Sequence, residues 1–216
     1  PLWYEVRFPC PALDWEFTLQ GDRRIVEAKA EVQAMVDAGV PMTSTLAVYE
    51  LFVRDRPTKD PRALEAMAPE VRQAYLEAKE NIDRDGWPPE WMETAMAYER
   101  AFVDAGGLLA AGVDPTGNGG ALPGYGDQRN VELLREAGFS PEEVVQITTL
   151  NGAKILDVDD ELGSVEVGKV ADLVLMEGDF VSDPSAIRSV SLVFKDGVGY
   201  RSQDFFEIVK GQVGIR

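Results

Sequence analysis

Residues 108–113, Leu-Leu-Ala-Ala-Gly-Val, form an uninterrupted apolar run that ends at Asp114-Pro115. A run of this length after a helical pattern suits a strand buried on both faces, as in a parallel sheet covered by its crossover helices. Five glycines and two prolines follow between Asp114 and Gly126, the composition of a long irregular loop. A buried strand that delivers one carboxylate to a loop at its C-terminal end is how parallel α/β architectures place catalytic groups. There a carboxylate can bind a metal ion and take a proton from metal-bound water. On local sequence alone, Asp114 serves equally well as the cap of an Asp-Pro turn.

Composition limits what else the chain can do. Its 216 residues are 45% hydrophobic and 9% aromatic, enough to bury a real core. A net charge of −17 repels phosphate backbones and anionic membranes, which argues against nucleic-acid or membrane partners. No apolar stretch is long enough to span a bilayer. The single cysteine, Cys10, excludes an internal disulfide framework and fits a reducing, cytoplasmic compartment. The chain has no histidine, so neither a His/Cys zinc site nor Ser-His-Asp or Cys-His catalysis can be built within it. Its start, Pro-Leu-Trp-Tyr, is not a signal peptide and reads as that of a truncated chain.

The periodicity outlines alternating helices and strands. Ile25, Ala28, Val32, Met35 and Val36 recur at helical spacing, with Asp22 as cap and Gly39 as stop. Residues 40–48 read as a short strand with Pro41 at its start. Residues 54–60 are a charged loop, and Asp60-Pro61 opens a helix expected to run to Ile82. Pro88-Pro89 begins another, with Trp91, Ala95, Tyr98 and Phe102 on one stripe and Gly106-Gly107 closing it. After the glycine-rich loop, Val131, Leu133 and Leu134 fall in a short helix closed by Gly138. Ser140-Pro141-Glu142-Glu143 is a serine cap, an N1 proline and a capping-box glutamate. Beyond Leu156 the segments turn short and β-rich: strands are expected at 163–167, 171–176 and 191–195, with Asp196-Gly197 as a turn. A boundary near Asp157 divides the chain into 1–156, a small β unit at 157–202 and a tail at 203–216.

Several motifs come in a telling order. Gly112-Val113-Asp114-Pro115 is followed by Leu122-Pro123-Gly124, Glu132 to Gly138 (ELLREAG), Thr149-x-Asn151-x-Ala153, Leu162-Gly163-Ser164, Gly168-Lys169 and Ala171-Asp172-Leu173-Val174. Upstream stands Met35-Val-Asp-Ala-Gly-Val40, then Thr45-Leu46, with Ser44 where relatives often have proline. This order resembles the C-terminal part of the amidohydrolase superfamily, the metal-dependent TIM-barrel hydrolases, in texture nearest its imidazolonepropionase-like and prolidase-like branch.

The resemblance implies an α/β fold: the C-terminal portion of a (β/α)8 TIM barrel in residues 1–156, followed by strands of a small β-sandwich domain. It implies that Asp114 ends the last barrel strand as metal ligand and general base, with zinc the expected divalent ion. Thr45 and Tyr49, at the end of the preceding strand, become candidates to line the pocket for a small-molecule substrate. The family's histidine ligands lie upstream of this region, so the remaining ligands are expected outside the chain. The segment alone is then inactive, and either oligomerises or lacks the N-terminal half of its barrel. The implied activity is hydrolysis of an amide, cyclic amide or dipeptide-like C–N bond. The alternative reading is a non-catalytic remnant that binds a partner or acts as a scaffold.

Overall fold

The computed structural model of the protein describes residues 23–57, 60–115 and 121–214. Cys10, the expected cap Asp22 and the centre of the glycine-rich loop lie outside them. Helix α1 (Arg23–Asp37) stops at Gly39, whose φ of +65° lets Val40 N–H turn back to the Met35 carbonyl. Strand β1 (Met42–Ser44) follows, and then helix α2 (Leu46–Tyr49) with a short 3₁₀ turn, Glu50–Phe52.

The strand expected at 40–48 is therefore cut to three residues. Its second half, with Leu46, Ala47 and Val48 all buried, is helical. Three adjacent apolar residues do not distinguish a buried strand from a buried helix. Here Thr45 (φ −134°, ψ 37°) leaves the extended conformation.

Helices α3 (Pro61–Ala66) and α4 (Pro69–Asp85) replace the single helix expected from Asp60. Asp60 does cap α3, its carboxylate accepting from Arg62 N–H. Pro69 forces the break: a residue before proline is steered away from helical ψ, and both Met67 (ψ 140°) and Ala68 (ψ 147°) are extended. Met67 pairs instead with Val213, and Val213 exchanges hydrogen bonds with Ala66 and Ala68.

Helix α5 (Glu90–Asp104) buries Met92, Met96, Glu99 and Phe102. Trp91, Ala95 and Tyr98, expected on the inner stripe, flank it half-buried. Strand β2 (Leu109–Ala111) lies parallel to β1, pairing Met42 with Leu109 and Ser44 with Ala111. Leu46, Phe102, Leu109, Leu133, Leu134, Phe139 and Val144 form the core around this pair.

Helix α6 (Tyr125–Glu136) starts earlier than its apolar residues suggested. In α7 (Pro141–Thr148) the expected capping box is present. Ser140 Oγ accepts from Glu143 N–H at 3.1 Å, and Glu143 Oε2 accepts from Ser140 N–H at 2.7 Å. Helix α8 (Leu150–Ile155) follows a break at Thr149.

The last part carries an antiparallel sheet in the order β3 (Leu173–Met176), β4 (Val190–Lys195), β5 (Val198–Arg201), then helix α9 (Ser202–Val209). Asp196 and Gly197 both have positive φ, as a two-residue hairpin turn requires. Asp172 Oδ1 accepts from Asp196 N–H at 2.7 Å. The strand expected at 163–167 does not form. Val165 and Val167 are exposed, and Lys169 Nζ ties the segment into a turn by donating to Asp159 O and Ser164 Oγ.

Candidate functional site

Because β1 and β2 run parallel, their C-terminal ends open on the same side. The ladder extends one step past β2, where Gly112 N–H donates to Ser44 O at 2.9 Å. A Cβ on Gly112 would stand 3.1 Å from Thr43 Cγ2, so the small residue permits this approach. Thr45 is the first residue past β1, and Asp114 stands three beyond Ala111. The fold thus brings these two expected site residues to one end of the sheet. Tyr49 lies a turn further along α2 and is 45% exposed.

Asp114 is exposed and has φ +45°. A left-handed non-glycine residue directly before a proline is a strained backbone position, of the kind that clusters at functional sites. Val113 faces the start of α6: a Cβ on Gly126 would come within 2.2 Å of Val113 Cγ2. That contact fixes the residue next to Asp114 against the helix that ends its loop.

Two asparagines pin the strands. Asn130 of α6 is buried; its Oδ1 accepts from Ala47 N–H at 3.0 Å, and its Nδ2 lies 3.3 Å from Ser44 O and 3.2 Å from Ser44 Oγ. Asn151 of α8 donates from Nδ2 to Leu109 O at 2.7 Å. Beneath Ser44 lies Glu99, also buried, with the Ser44 hydroxyl as its hydrogen-bonding partner. Burial pushes its carboxyl up to about 7, against the opposing pull of that hydroxyl.

A chain of ion pairs borders the same end. Glu50 accepts from Arg56 Nε at 2.8 Å and from Arg129 Nε and Nη2 at 2.8 and 2.7 Å. Burial alone would raise the Glu50 carboxyl, but hydrogen bonds and charge from Arg129 and Arg56 outweigh it and hold it below the ordinary value. Arg129 continues to Glu132 at 2.7 Å, and Glu132 pairs with Arg188 of the 3₁₀ turn Pro184–Arg188. This ties α2 and α6 to the segment that enters β4. A cavity of about 160 Å³ lies beside it, with Glu50, Asp60, Tyr75, Tyr125, Arg129 and Arg188 among its walls.

Sequence reasoning missed Ser44, Glu99 and Asn130 as a group, and also the Glu50–Arg129 pair. Asn151 it noticed only as part of a motif. A polar residue inside an otherwise apolar stripe, as Glu99 is between Met96 and Phe102, was the available signal.

The described residues contain no group of three or more His, Cys, Asp or Glu side chains placed to hold a metal ion. A catalytic zinc takes three protein ligands. Asp114 offers one carboxylate, so the donors among the described residues do not fit a zinc centre by themselves. Among the described residues no helix is long and apolar enough to cross a membrane.

Residues 103–200, which run from the end of α5 through β2 to the β4–β5 hairpin, match the model of the amidohydrolase family. This stretch, just under half of the chain, resembles the C-terminal part of the amidohydrolases. Imidazolonepropionase of Geobacillus sp. (strain WCH70) is 34% identical over 92 residues, 40% of this chain and 20% of that protein. The 5'-deoxyadenosine deaminase of Methanobrevibacter smithii is 38% identical over 64 residues, 28% of this chain and 15% of that protein. The solved structure of bottromycin amidohydrolase superposes with a TM-score of 0.55 at 17% identity, over 77% of this chain and 38% of the other. At that identity the likeness speaks for the fold alone. The matched part spans about a fifth of the length of these imidazolonepropionases.

Proposed function

We propose that the chain is the C-terminal part of a metal-dependent amidohydrolase that cleaves a C–N bond in an amide, cyclic amide or dipeptide-like small molecule. In this reading β1 and β2 are the last two strands of a (β/α)8 barrel, residues 1–156 belong to that barrel, and residues 157–202 to a small β domain. The observation that carries it is Asp114: a strained, exposed carboxylate past the end of a parallel strand, inside the segment that matches the family. Its part is to hold and move a proton, taken from the attacking water and passed to the leaving nitrogen. Thr45 and Tyr49 line the substrate side of the same opening.

Zinc is the ion this reading expects, with the ligands other than Asp114 supplied by polypeptide outside this chain. The test begins with the protein from its native source. Its intact mass should exceed that of this chain, and it should hydrolyse amides with bound zinc. Asp114→Asn should lower kcat/KM by about 10³-fold or more, in the range reached when an essential proton-transfer group is lost. An Asp114→Asn enzyme of undiminished activity would sink the assignment.

The lack of histidine favours a second reading, a non-catalytic protein that binds a partner or serves as a scaffold. A native mass equal to that of this chain, with no hydrolytic activity, would select it.

A further inference from the structure

Glu99 is the one buried acid of α5, and the role proposed for Asp114 leaves it unused. It is 7% exposed, and its Oε2 has no hydrogen-bond partner among the described residues. A buried carboxylate with an unsatisfied oxygen is costly, so the group is expected to stay neutral or to have a reason for its placement.

Its surroundings give one. Helix α5 packs against α1, α2 and β2. On α1 the described charged side chains Lys29, Glu31 and Asp37 are exposed; α2 has only exposed Tyr49; β1 and β2 carry no titratable group. On α5 itself, Arg100 is paired with Asp104 and with Glu143 of α7. Among the described residues no charge acts on Glu99, only burial and the Ser44 hydroxyl.

From Ser44 the connections lead straight to the candidate site. Its Oγ and carbonyl oxygen meet Asn130 Nδ2, and the same carbonyl accepts Gly112 N–H, two residues before Asp114. Asn130 in turn holds Ala47 N–H, across the turn that contains Thr45. A single hydrogen-bonded chain thus runs from the Glu99 carboxyl to both strand ends.

We infer that Glu99 is a positioning residue: as a neutral acid beneath Ser44 it keeps the end of β1 in register with β2, and its ionisation loosens that register. The importance of that end rests on the reading of Asp114 as the working carboxylate; the coupling itself does not. When Glu99 is ionised, the carboxylate draws the Ser44 hydroxyl toward itself and away from Asn130, so the change passes to Gly112 and Ala47.

The test is a pH titration of the backbone amides of this chain by ¹⁵N NMR, from about pH 5 to about pH 9, bracketing the shifted group. In the wild type, the Gly112 and Ala47 amides should move together with one midpoint near pH 7. In Glu99→Gln that response should vanish. Ser44→Ala is the second variant, should the first not fold: with its partner gone, Glu99 should titrate higher and the Gly112 response should be lost. Amides of the wild type that ignore pH, or a response that survives Glu99→Gln or Ser44→Ala, would overturn the inference. Because no catalysis is measured, an inactive protein leaves this result intact. PH-invariant amides beside a working enzyme would remove Glu99 alone.

Discussion

Asn130 Nδ2 reaches the carbonyl oxygen of Ser44 at 3.3 Å while its Oδ1 accepts Ala47 N–H at 3.0 Å, so one amide from α6 spans the turn that ends β1. The two residues are 86 positions apart in sequence. Replacing Asn130 by leucine strands the Ala47 N–H inside the core, while the Ser44 hydroxyl keeps Glu99 as partner. A buried group left unpaired costs about 1–3 kcal/mol, so Asn130→Leu should lose about 2 kcal/mol in urea unfolding. A loss within about 0.5 kcal/mol, typical of surface changes, would show that the turn does not depend on this amide.

Gly126→Ala should disturb the other strand end. The added Cβ would stand 2.2 Å from Val113 Cγ2, and overpacking of this kind costs about 1–3 kcal/mol. Trimming the obstacle should recover part of it, so Gly126→Ala should be milder in a Val113→Ala background than alone. A double-mutant cycle reads this directly, and strict additivity would refute the contact.

Arg129→Met removes the cation that Glu50 and Glu132 share. The Glu50 side chain is only 10% exposed, and breaking a buried pair on one side costs about 3–5 kcal/mol. Arg56 and Arg188 stay beside the two acids, so the low end is expected. The pH dependence should change as well. The Glu50 carboxyl is lowered in the folded state, so its contribution is present above the unfolded value of 4.5 and is lost as pH falls through the folded value. The acid limb of the stability curve should therefore flatten in Arg129→Met.

Glu99 acts in the opposite sense. Its folded value, about 7, lies above the ordinary 4.5, so the folded state holds a proton that the unfolded chain has released. Its contribution is full below 4.5, declines as pH rises and is gone above about 7. At 1.36 kcal/mol per pKa unit, this corresponds to about 3 kcal/mol between the two limits. Stability should fall across that window in the wild type relative to Glu99→Gln. Parallel curves for the two proteins would mean that Glu99 titrates normally.

The parts of the fold that depend on neighbours in sequence were readable in advance. Ser140 and Glu143 are three residues apart and their capping box is there; Asp196-Gly197 makes its own turn; residues 108–113 supplied β2. Features that depend on distant partners were not. Residues 163–167 have a strand's composition but no strand beside them to pair with. Residues 46–48 are apolar in any conformation, and it is Asn130, far along the chain, that holds Ala47 in its turn. Arg129 and Glu50 stand 79 positions apart, and nothing local to either residue signals the pairing. The candidate site divides the same way. Asp114 stood out by its strand and loop, while the Ser44, Glu99 and Asn130 group that supports the strand ends exists only once three elements are packed.

The pairing of Val213 with Met67 has a consequence for how the molecule is made. The joint between α3 and α4 receives its backbone partners from a residue synthesised almost 150 positions later. Closing so long a loop is entropically slow and late. During synthesis the joint waits with its amides open, and Leu122, which shares a core cluster with Met67 and Val213, waits beside it. Only when residue 213 has left the ribosome can the Met67–Val213 pairing form and the cluster with Leu122 close. The order of the chain, and not only its contacts, then determines when the joint between α3 and α4 is completed.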